Sequence, residues 1–251
     1  MVLGATSFMF KAKILDRMDN QSKPETESFA FADFLALSVH DMKNSLGMLI
    51  GALENTIKDA RFNDSPLSPQ LGQMEYEAKR LNNNLLQLLC IYKISNRLYP
   101  IDIQAHPIRD VLEEIVMQNR PLLDFRGIKL ELDCQSDSLW YFDKELLSGA
   151  LNNALNNAIQ HTADQLRLVA QVVAGQLEIR VEDNGGGFPD SMLHGPVSAN
   201  KGISFYRGST GLGMYFSVMV ANLHQNNGQN GSLTIENGGA FGGGCFVLRL
   251  P

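Results

Sequence analysis

Seven apolar residues near the start of this chain, Ala32, Leu35, Val39, Met42, Leu46, Leu49 and Leu53, recur alternately three and four positions apart. Only a helix puts such residues on one stripe. The strict three-four alternation makes that stripe a narrow heptad seam rather than the broad face of a core helix. The stretch from Arg61 to Pro69, with Asn63, Asp64, Ser65 and two prolines, interrupts it. Ser68-Pro69 reads as an N-cap followed by proline in the first helical position. A second seam follows at Leu71, Met74, Ala78, Leu81, Leu85, Leu88 and Tyr92. Two such helices make an antiparallel hairpin, but two narrow stripes enclose too little core. Pairing with a second copy into a four-helix bundle supplies the rest. The seams therefore predict a homodimer.

After Pro100 the periodicity changes. Ile108, Val111, Leu112 and Ile115 mark a helix, and Ile128-Lys129-Leu130-Glu131-Leu132 alternates as a strand does. Leu146, Leu147, Ala150, Leu151, Ala154, Leu155 and Ala158 give one apolar face to a long helix beginning near Asp143. Leu166 to Val173 and Gln176 to Glu182 read as a strand pair around Ala174-Gly175. Then come an irregular glycine-bearing stretch from Gly185 to Thr210, a helix from Gly211 to His224, and strands over Ser232–Glu236 and Cys245–Leu250. The Asn/Gln/Gly-rich run Gln225 to Gly231 reads as a loop. Helices on one side of a sheet predict an α+β sandwich. The expected organisation is a lead-in over 1–28, the helical hairpin over 29–98, and the α+β domain over 99–251.

Bulk properties exclude several classes. The net charge of −6 disfavours nucleic acid as a partner, because binding a polyphosphate is driven by counterion release onto basic groups. No apolar run reaches the ~20 residues of a membrane span. The apolar start, Met1 to Phe10, is followed rather than preceded by Lys11 and Lys13, the wrong order for a secretory signal. Three widely spaced cysteines form neither a disulfide framework nor a zinc pattern, and a reducing cytoplasm is the expected compartment.

The chemistry concentrates at four places. Asp183 ends an alternating strand and is followed by three glycines, so backbone can approach a ligand closely there. Its carboxylate can accept a hydrogen bond from the exocyclic amine of adenine, where guanine has a carbonyl. Taken alone, Asp-Asn-Gly is more often a plain turn. Asn153 and Asn157 lie four apart on one face of a helix, and an amide oxygen is a hard ligand suited to Mg²⁺. Thr210-Gly211-Leu212-Gly213 opens a helix whose N–H groups suit phosphate oxygens. Upstream, His40 lies just beside seam residue Val39, with Asp41 next to it and Asn44 one turn on. A lone helical histidine is usually structural, but a phosphate-donor site on the same chain favours a phosphate acceptor. His106, His161, His194 and His224 lack such neighbours and are expected to be structural, with His161 bordering the pocket.

In this order, these motifs resemble those of bacterial sensor histidine kinases over Phe29 to Pro251. That family core is a dimerisation and phosphoacceptor hairpin followed by a GHKL-type ATPase domain, an α/β sandwich. Asn153-Ala154-Leu155-Asn156-Asn157-Ala158 matches the asparagine box, with Asn157 at the Mg²⁺ position. Asp183, Gly185 and Gly187 match the first glycine box, and Gly211 and Gly213 the second. Phe205-Tyr206-Arg207-Gly208 resembles the lid segment before it, and Gly243 to Pro251 the closing strand. His40-Asp41-Met42-Lys43-Asn44 fits the acceptor motif His-Glu/Asp-x-x-Thr/Asn.

The resemblance implies ATP and Mg²⁺ as ligands and His40 as the phosphorylated nucleophile. Asp41 would orient the ring and take its proton, and Asn44 would position a hydrolytic water. The implied partner is a response-regulator receiver domain whose aspartate accepts the phosphoryl group. With no sensor domain ahead of the hairpin in this sequence, the input is expected through the N-terminal segment, through a separate sensor protein, or not at all.

Three positions depart from the pattern. Ser45 replaces a helix-bending proline, Ser209 replaces the first glycine of the second box, and Gln160 stands where a lysine often contacts phosphate. The last change is expected to lower nucleotide affinity. Two rivals share the fold of the C-terminal domain. One is a histidine phosphotransferase with a degenerate pocket that binds no ATP, against which the intact asparagine and glycine boxes argue. The other is a serine kinase of the anti-sigma type, against which the paired seams and His40-Asp41 argue.

Overall fold

The computed structural model describes residues 39, 41–57, 68–134, 139–193 and 211–251, in two units, Met1–Leu89 and Cys90–Pro251. His40, Thr210 and the segment 205–208 lie outside the described residues. In the first unit, helix α1 (41–57) packs along α2 (Ser68–Ser95), and Lys79 Nζ reaches across to Glu54 at 2.8 Å. Val39, Leu53 and Ala78 of the seams are buried. Met42, Leu49, Met74 and Leu81 are each about half exposed. Leu46, Leu49, Leu53, Met74, Ala78 and Leu81 line an open apolar groove between the two helices.

The second unit is built on a mixed five-stranded sheet. Its strands are β2 (Lys129–Cys134), β4 (Gln165–Val173), β5 (Gln176–Asp183), β8 (Ser232–Gly238) and β9 (Gly243–Leu250), in spatial order β2-β4-β5-β9-β8. Only β2 and β4 run parallel. Helices α3 (Ile108–Arg126), α4 (Lys144–His161) and α5 (Leu212–Leu223) pack on the sheet. Strand parity decides what they meet. Leu166, Leu168 and Ala170 of β4, Leu177, Ile179 and Val181 of β5, and Phe246, Leu248 and Leu250 of β9 alternate into one core. Burying each large aliphatic of this set contributes about 1.5–3 kcal/mol.

The opposite parity carries charge. Glu178 and Glu182 are buried beneath a lattice of arginines: Arg180 to Glu182 at 2.9 Å, Arg249 to Glu178 at 2.7 Å, and Arg167 to Asp133 at 2.7 Å. Burial alone would raise both glutamate pKa values. Hydrogen bonds from Gln171 and Arg249 to Glu178, and from Arg180 and the Ala240 N–H to Glu182, outweigh it and hold both carboxyls below the usual range. The Cys245 thiol, buried beneath the same lattice, is pushed up to about 12, chiefly by burial.

Two features depart from the sequence reading. A two-stranded ribbon, β1 (Gln104–Pro107) with β3 (Leu139–Phe142), precedes α4. The Gln225 to Gly231 run, expected as a loop, is a small hairpin instead: β6 (Gln225–Asn226) pairs with β7 (Gln229–Asn230). Its two-residue turn is Asn227-Gly228, with both φ angles positive (48° and 78°), the geometry Asn-Gly favours.

Candidate functional site

Asp183 occupies the next inward position of β5 after Leu177, Ile179 and Val181. Strand alternation therefore drives a carboxylate toward the core at the very end of the strand, where it is only 6% exposed. A buried carboxylate needs donors. Asp183 Oδ1 accepts from the Gly185 N–H at 2.7 Å and from the Gly244 N–H at 3.1 Å. Glycines leave room for it on both sides. A Cβ at Gly244 would stand 2.7 Å from Asp183 Oδ2, and one at Gly243 would meet backbone of Asp183 and Gly185. A Cβ at Gly185 would overlap the carbonyl oxygen of His161.

That last contact brings the asparagine-box helix to the first glycine box. α4 starts at its N-cap Asp143, whose Oδ1 accepts from the Leu146 N–H at 3.0 Å. It ends at His161, which meets the glycine box through its backbone carbonyl while its side chain is exposed. Gln160 is also exposed at this end. Asn153 and Asn157 are half-buried on the same helix. Asn153 Nδ2 donates to the Gly213 carbonyl at 3.3 Å, and a Cβ on Gly213 would sit 3.1 Å from the Asn153 Cγ. Gly211 is the left-handed N-cap of α5 (φ 65°), and Leu212 and Gly213 form its first turn. The second glycine box therefore packs directly on the asparagine box.

The structure thus joins Asn153, His161, Asp183, Gly185, Gly211, Leu212 and Gly213 in one connected region. Gly187 closes the far side of the first glycine loop. Its φ is +74°, and a Cβ there would stand 2.7 Å from Asn237 Oδ1. Asn237 is a residue the motif reading does not single out. Its Oδ1 accepts from the Phe188 N–H at 2.6 Å, and its Nδ2 donates to the Phe188 carbonyl at 2.8 Å. This reciprocal pair stitches the loop to β8.

Asn184, between Asp183 and Gly185, is the other residue beyond that reading, and no local signal reveals it. Its side chain bonds the turn that leaves α4, about twenty residues earlier. Of the acceptor motif, Asp41 and Asn44 are exposed on α1 and His40 lies outside the described residues.

The site has the features that a nucleotide with Mg²⁺ requires. A fixed, buried carboxylate stands beside bare backbone. Amide side chains line one helix face. A glycine-bearing helix start packs on one of those amides, Asn153. Among the described residues there is no His/Cys/Asp/Glu cluster that could hold a metal ion. No described helix is long and apolar enough to cross a membrane.

Residues 142–251 match the family model described as histidine kinase-, DNA gyrase B- and HSP90-like ATPase. Over 226 residues the chain is 21% identical to the sensor protein SrrB of Staphylococcus aureus, covering 87% of this chain and 38% of that protein. It therefore spans well under half the length of these relatives. Among solved structures, the Acinetobacter baumannii histidine kinase AdeS aligns with a TM-score of 0.53 at 18% identity, covering 82% of this chain and 95% of that one. Full-length ShkA in complex with AMPPNP aligns with a TM-score of 0.58 at 19% identity, covering 87% and 45%. Residues 142–251, within the second unit, thus match an ATPase domain of the histidine kinase, DNA gyrase B and HSP90 type, and the chain is similar in sequence to a sensor protein and in fold to histidine kinases.

Proposed function

We propose that this chain is the core of a two-component histidine protein kinase. The observation that carries the reading is the Asp183 carboxylate. It is buried at a strand end, with Oδ1 held by two glycine N–H groups and Oδ2 facing the glycine-lined side, where an adenine amine would donate. ATP with Mg²⁺ supplies the phosphoryl group. Asn157 holds the metal. Asn153 and the helix start at Gly211, Leu212 and Gly213, with Thr210 before them in the sequence, take phosphate oxygens, bordered by Gln160 and His161. Gly185 and Gly187 let the base lie against backbone.

The His40 imidazole nitrogen attacks the γ-phosphorus, the bond to the bridging oxygen breaks, and ADP leaves. The ring proton passes to Asp41. Positioning and charge neutralisation carry most of the catalysis, as in phosphoryl transfer generally. An aspartate on a response-regulator receiver then takes the phosphoryl group, and Asn44 holds water for its later hydrolysis.

In this reading residues 29–98 are the phosphoacceptor hairpin and 99–251 the catalytic domain. The half-exposed seam residues favour a homodimer in which a second copy completes the bundle. The cytoplasm is the compartment, where ATP and receiver domains are available. The test is incubation of purified protein with γ-labelled ATP followed by acid treatment. Acid-labile label is expected. Acid-stable label overturns the reading in favour of a serine kinase, and absence of ATP binding in favour of a phosphotransferase.

A further inference from the structure

We infer that Asn184 is the positioning residue that sets the adenine-facing carboxylate, by locking the exit turn of α4 to the first glycine box. The inference rests on the reading of Asp183 as the base contact. Adjacent strand residues send their side chains to opposite sides, so Asp183 points into the core and Asn184 points toward the turn between α4 and β4. There Asn184 Oδ1 accepts from three successive backbone N–H groups: Ala163 at 3.0 Å, Asp164 at 3.1 Å and Gln165 at 3.1 Å. The Thr162 hydroxyl lies 2.7 Å from the same oxygen and 2.8 Å from the Gln165 carbonyl. Asn184 Nδ2 donates to Asp164 Oδ1 at 2.7 Å, and the Asn184 N–H to the Gln165 carbonyl at 3.3 Å. Only an oxygen can face three N–H donors, so the orientation of the amide is settled by its surroundings.

The consequence for the pocket follows from chain order. The next residue, Gly185, lies hard against the His161 carbonyl and donates the N–H that holds Asp183 Oδ1. That N–H is aimed only while the 184–185 peptide stays in place. Asn184 anchors this peptide to the same turn that ends the asparagine-box helix. One side chain therefore sets both the direction of the Asp183 carboxylate and its placement relative to Asn153 and Asn157. Asp183 has a second fixed donor in Gly244, so loss of Asn184 loosens the carboxylate without unfolding the sheet.

The experiment compares binding of ATP and of inosine triphosphate, whose base carries a carbonyl in place of the exocyclic amine. Binding is read by calorimetry and by competition, with Mg²⁺, on the whole chain. Wild type is expected to prefer ATP. Asn184→Ala is expected to weaken ATP binding about tenfold while leaving inosine triphosphate nearly unchanged, because the lost contact is base-specific. The reciprocal exchange Asn184→Asp with Asp164→Asn keeps the acceptor for the three N–H groups and the amide–carboxylate pair, and is expected to restore the preference. Equal loss for both nucleotides, or an unchanged preference in Asn184→Ala, overturns the positioning role. A wild type that binds ATP without preferring it overturns instead the assignment of Asp183 to the base.

Discussion

The backbone N–H of Asp143 donates to Nε2 of His224 across 3.0 Å, and this bond fixes the state of the ring. Since Nε2 accepts, Nδ1 must carry the proton, which it donates to the Val220 carbonyl at 2.8 Å. A buried, neutral imidazole thus joins the last turn of α5 to the N-cap of α4. The same Asp143 accepts through Oδ2 from the Asp102 N–H at 3.0 Å and, more weakly, from the Tyr99 hydroxyl at 3.4 Å. Cys90, Ile91, Ile94 and Tyr99 pack on Leu146, Ala150, Phe216 and Val220 beside it. Both helices of the candidate pocket are therefore held, at the ends opposite His161 and Gly211, by one polar knot.

That knot predicts a pH dependence. Burial is the largest influence on His224 and lowers its pKa below the ordinary 6.5, with the Val220 hydrogen bond and the Asp143 charge opposing. The unfolded chain takes up a proton near 6.5 that the folded protein refuses, so stability falls as pH drops through that value toward the folded one. Melting temperature should decline between about pH 7.5 and 5.5. His224→Gln should flatten this limb, since the titrating group is gone. His224→Ala should also cost about 1–3 kcal/mol at neutral pH, because the Asp143 N–H is left without its acceptor. The contribution of Glu178 and Glu182 lies in a separate window. Their folded pKa values are lowered, so their stabilisation is present above the unfolded value of 4.5 and lost as pH falls through the folded values. An unchanged slope above pH 5.5 in His224→Gln would remove the ring from the account.

Adjacent glycines on β9 should behave differently. A Cβ at Gly244 meets the far end of the Asp183 side chain and the Phe188 ring, both able to shift. Gly244→Ala should therefore fold and bind ATP about tenfold more weakly, as the carboxylate is displaced from its donors. A Cβ at Gly243 meets backbone on two sides. Gly243→Ala should lose stability by several kcal/mol, about the penalty of overpacking a rigid site. Thermal melts and calorimetry on the two variants separate the cases. Equal melting temperatures would show that the backbone around Asp183 yields more easily than its packing suggests.

Much of this was legible in the chain itself, and the rest was hidden for definite reasons. The two seams announce α1 and α2, and the position of Asp183 follows from the parity of Leu177, Ile179 and Val181. The β1–β3 ribbon is obscure because Leu139-Trp140-Tyr141-Phe142 is an unbroken apolar run without a period. The hairpin at 225–231 did carry its signal, Asn227-Gly228, but the flanking Gln and Asn residues lack the alternation that marks strands. Asn184 and Asn237 act on turns and strands far along the chain, and His224 acts through a bond to residue 143. Such partners are products of topology and leave no local spacing to read.

The acceptor helix gives a prediction of its own. His40→Gln should abolish acid-labile labelling while leaving nucleotide affinity intact, and persistent label would sink the assignment. Asn44 stands four residues on, about one turn along the same face. It contributes nothing obvious to the attack on ATP but can hold water beside a docked phospho-aspartate. Asn44→Ala should keep autophosphorylation and slow decay of a phosphorylated receiver. Equal decay with both proteins, where wild type accelerates it, would leave Asn44 a solvated helix residue.

The open seam predicts how the oligomer fails. Leu81 lies in the apolar groove and is 52% exposed on the single chain, while Met48, off the seam, is 72% exposed. A second copy would bury Leu81, and twofold symmetry would bury it twice. Removing a leucine from such an interface forfeits roughly 1.5–3 kcal/mol per copy, and a lysine there adds the cost of desolvating charge. Leu81→Lys should therefore weaken dimerisation by more than about a hundredfold, whereas Met48→Lys should leave it unchanged. Sedimentation equilibrium at micromolar concentrations reads both. ATP affinity should be the same in all three proteins, since the pocket belongs to the second unit. A wild type that sediments as a monomer at every concentration would mean that something other than a second copy covers the seam.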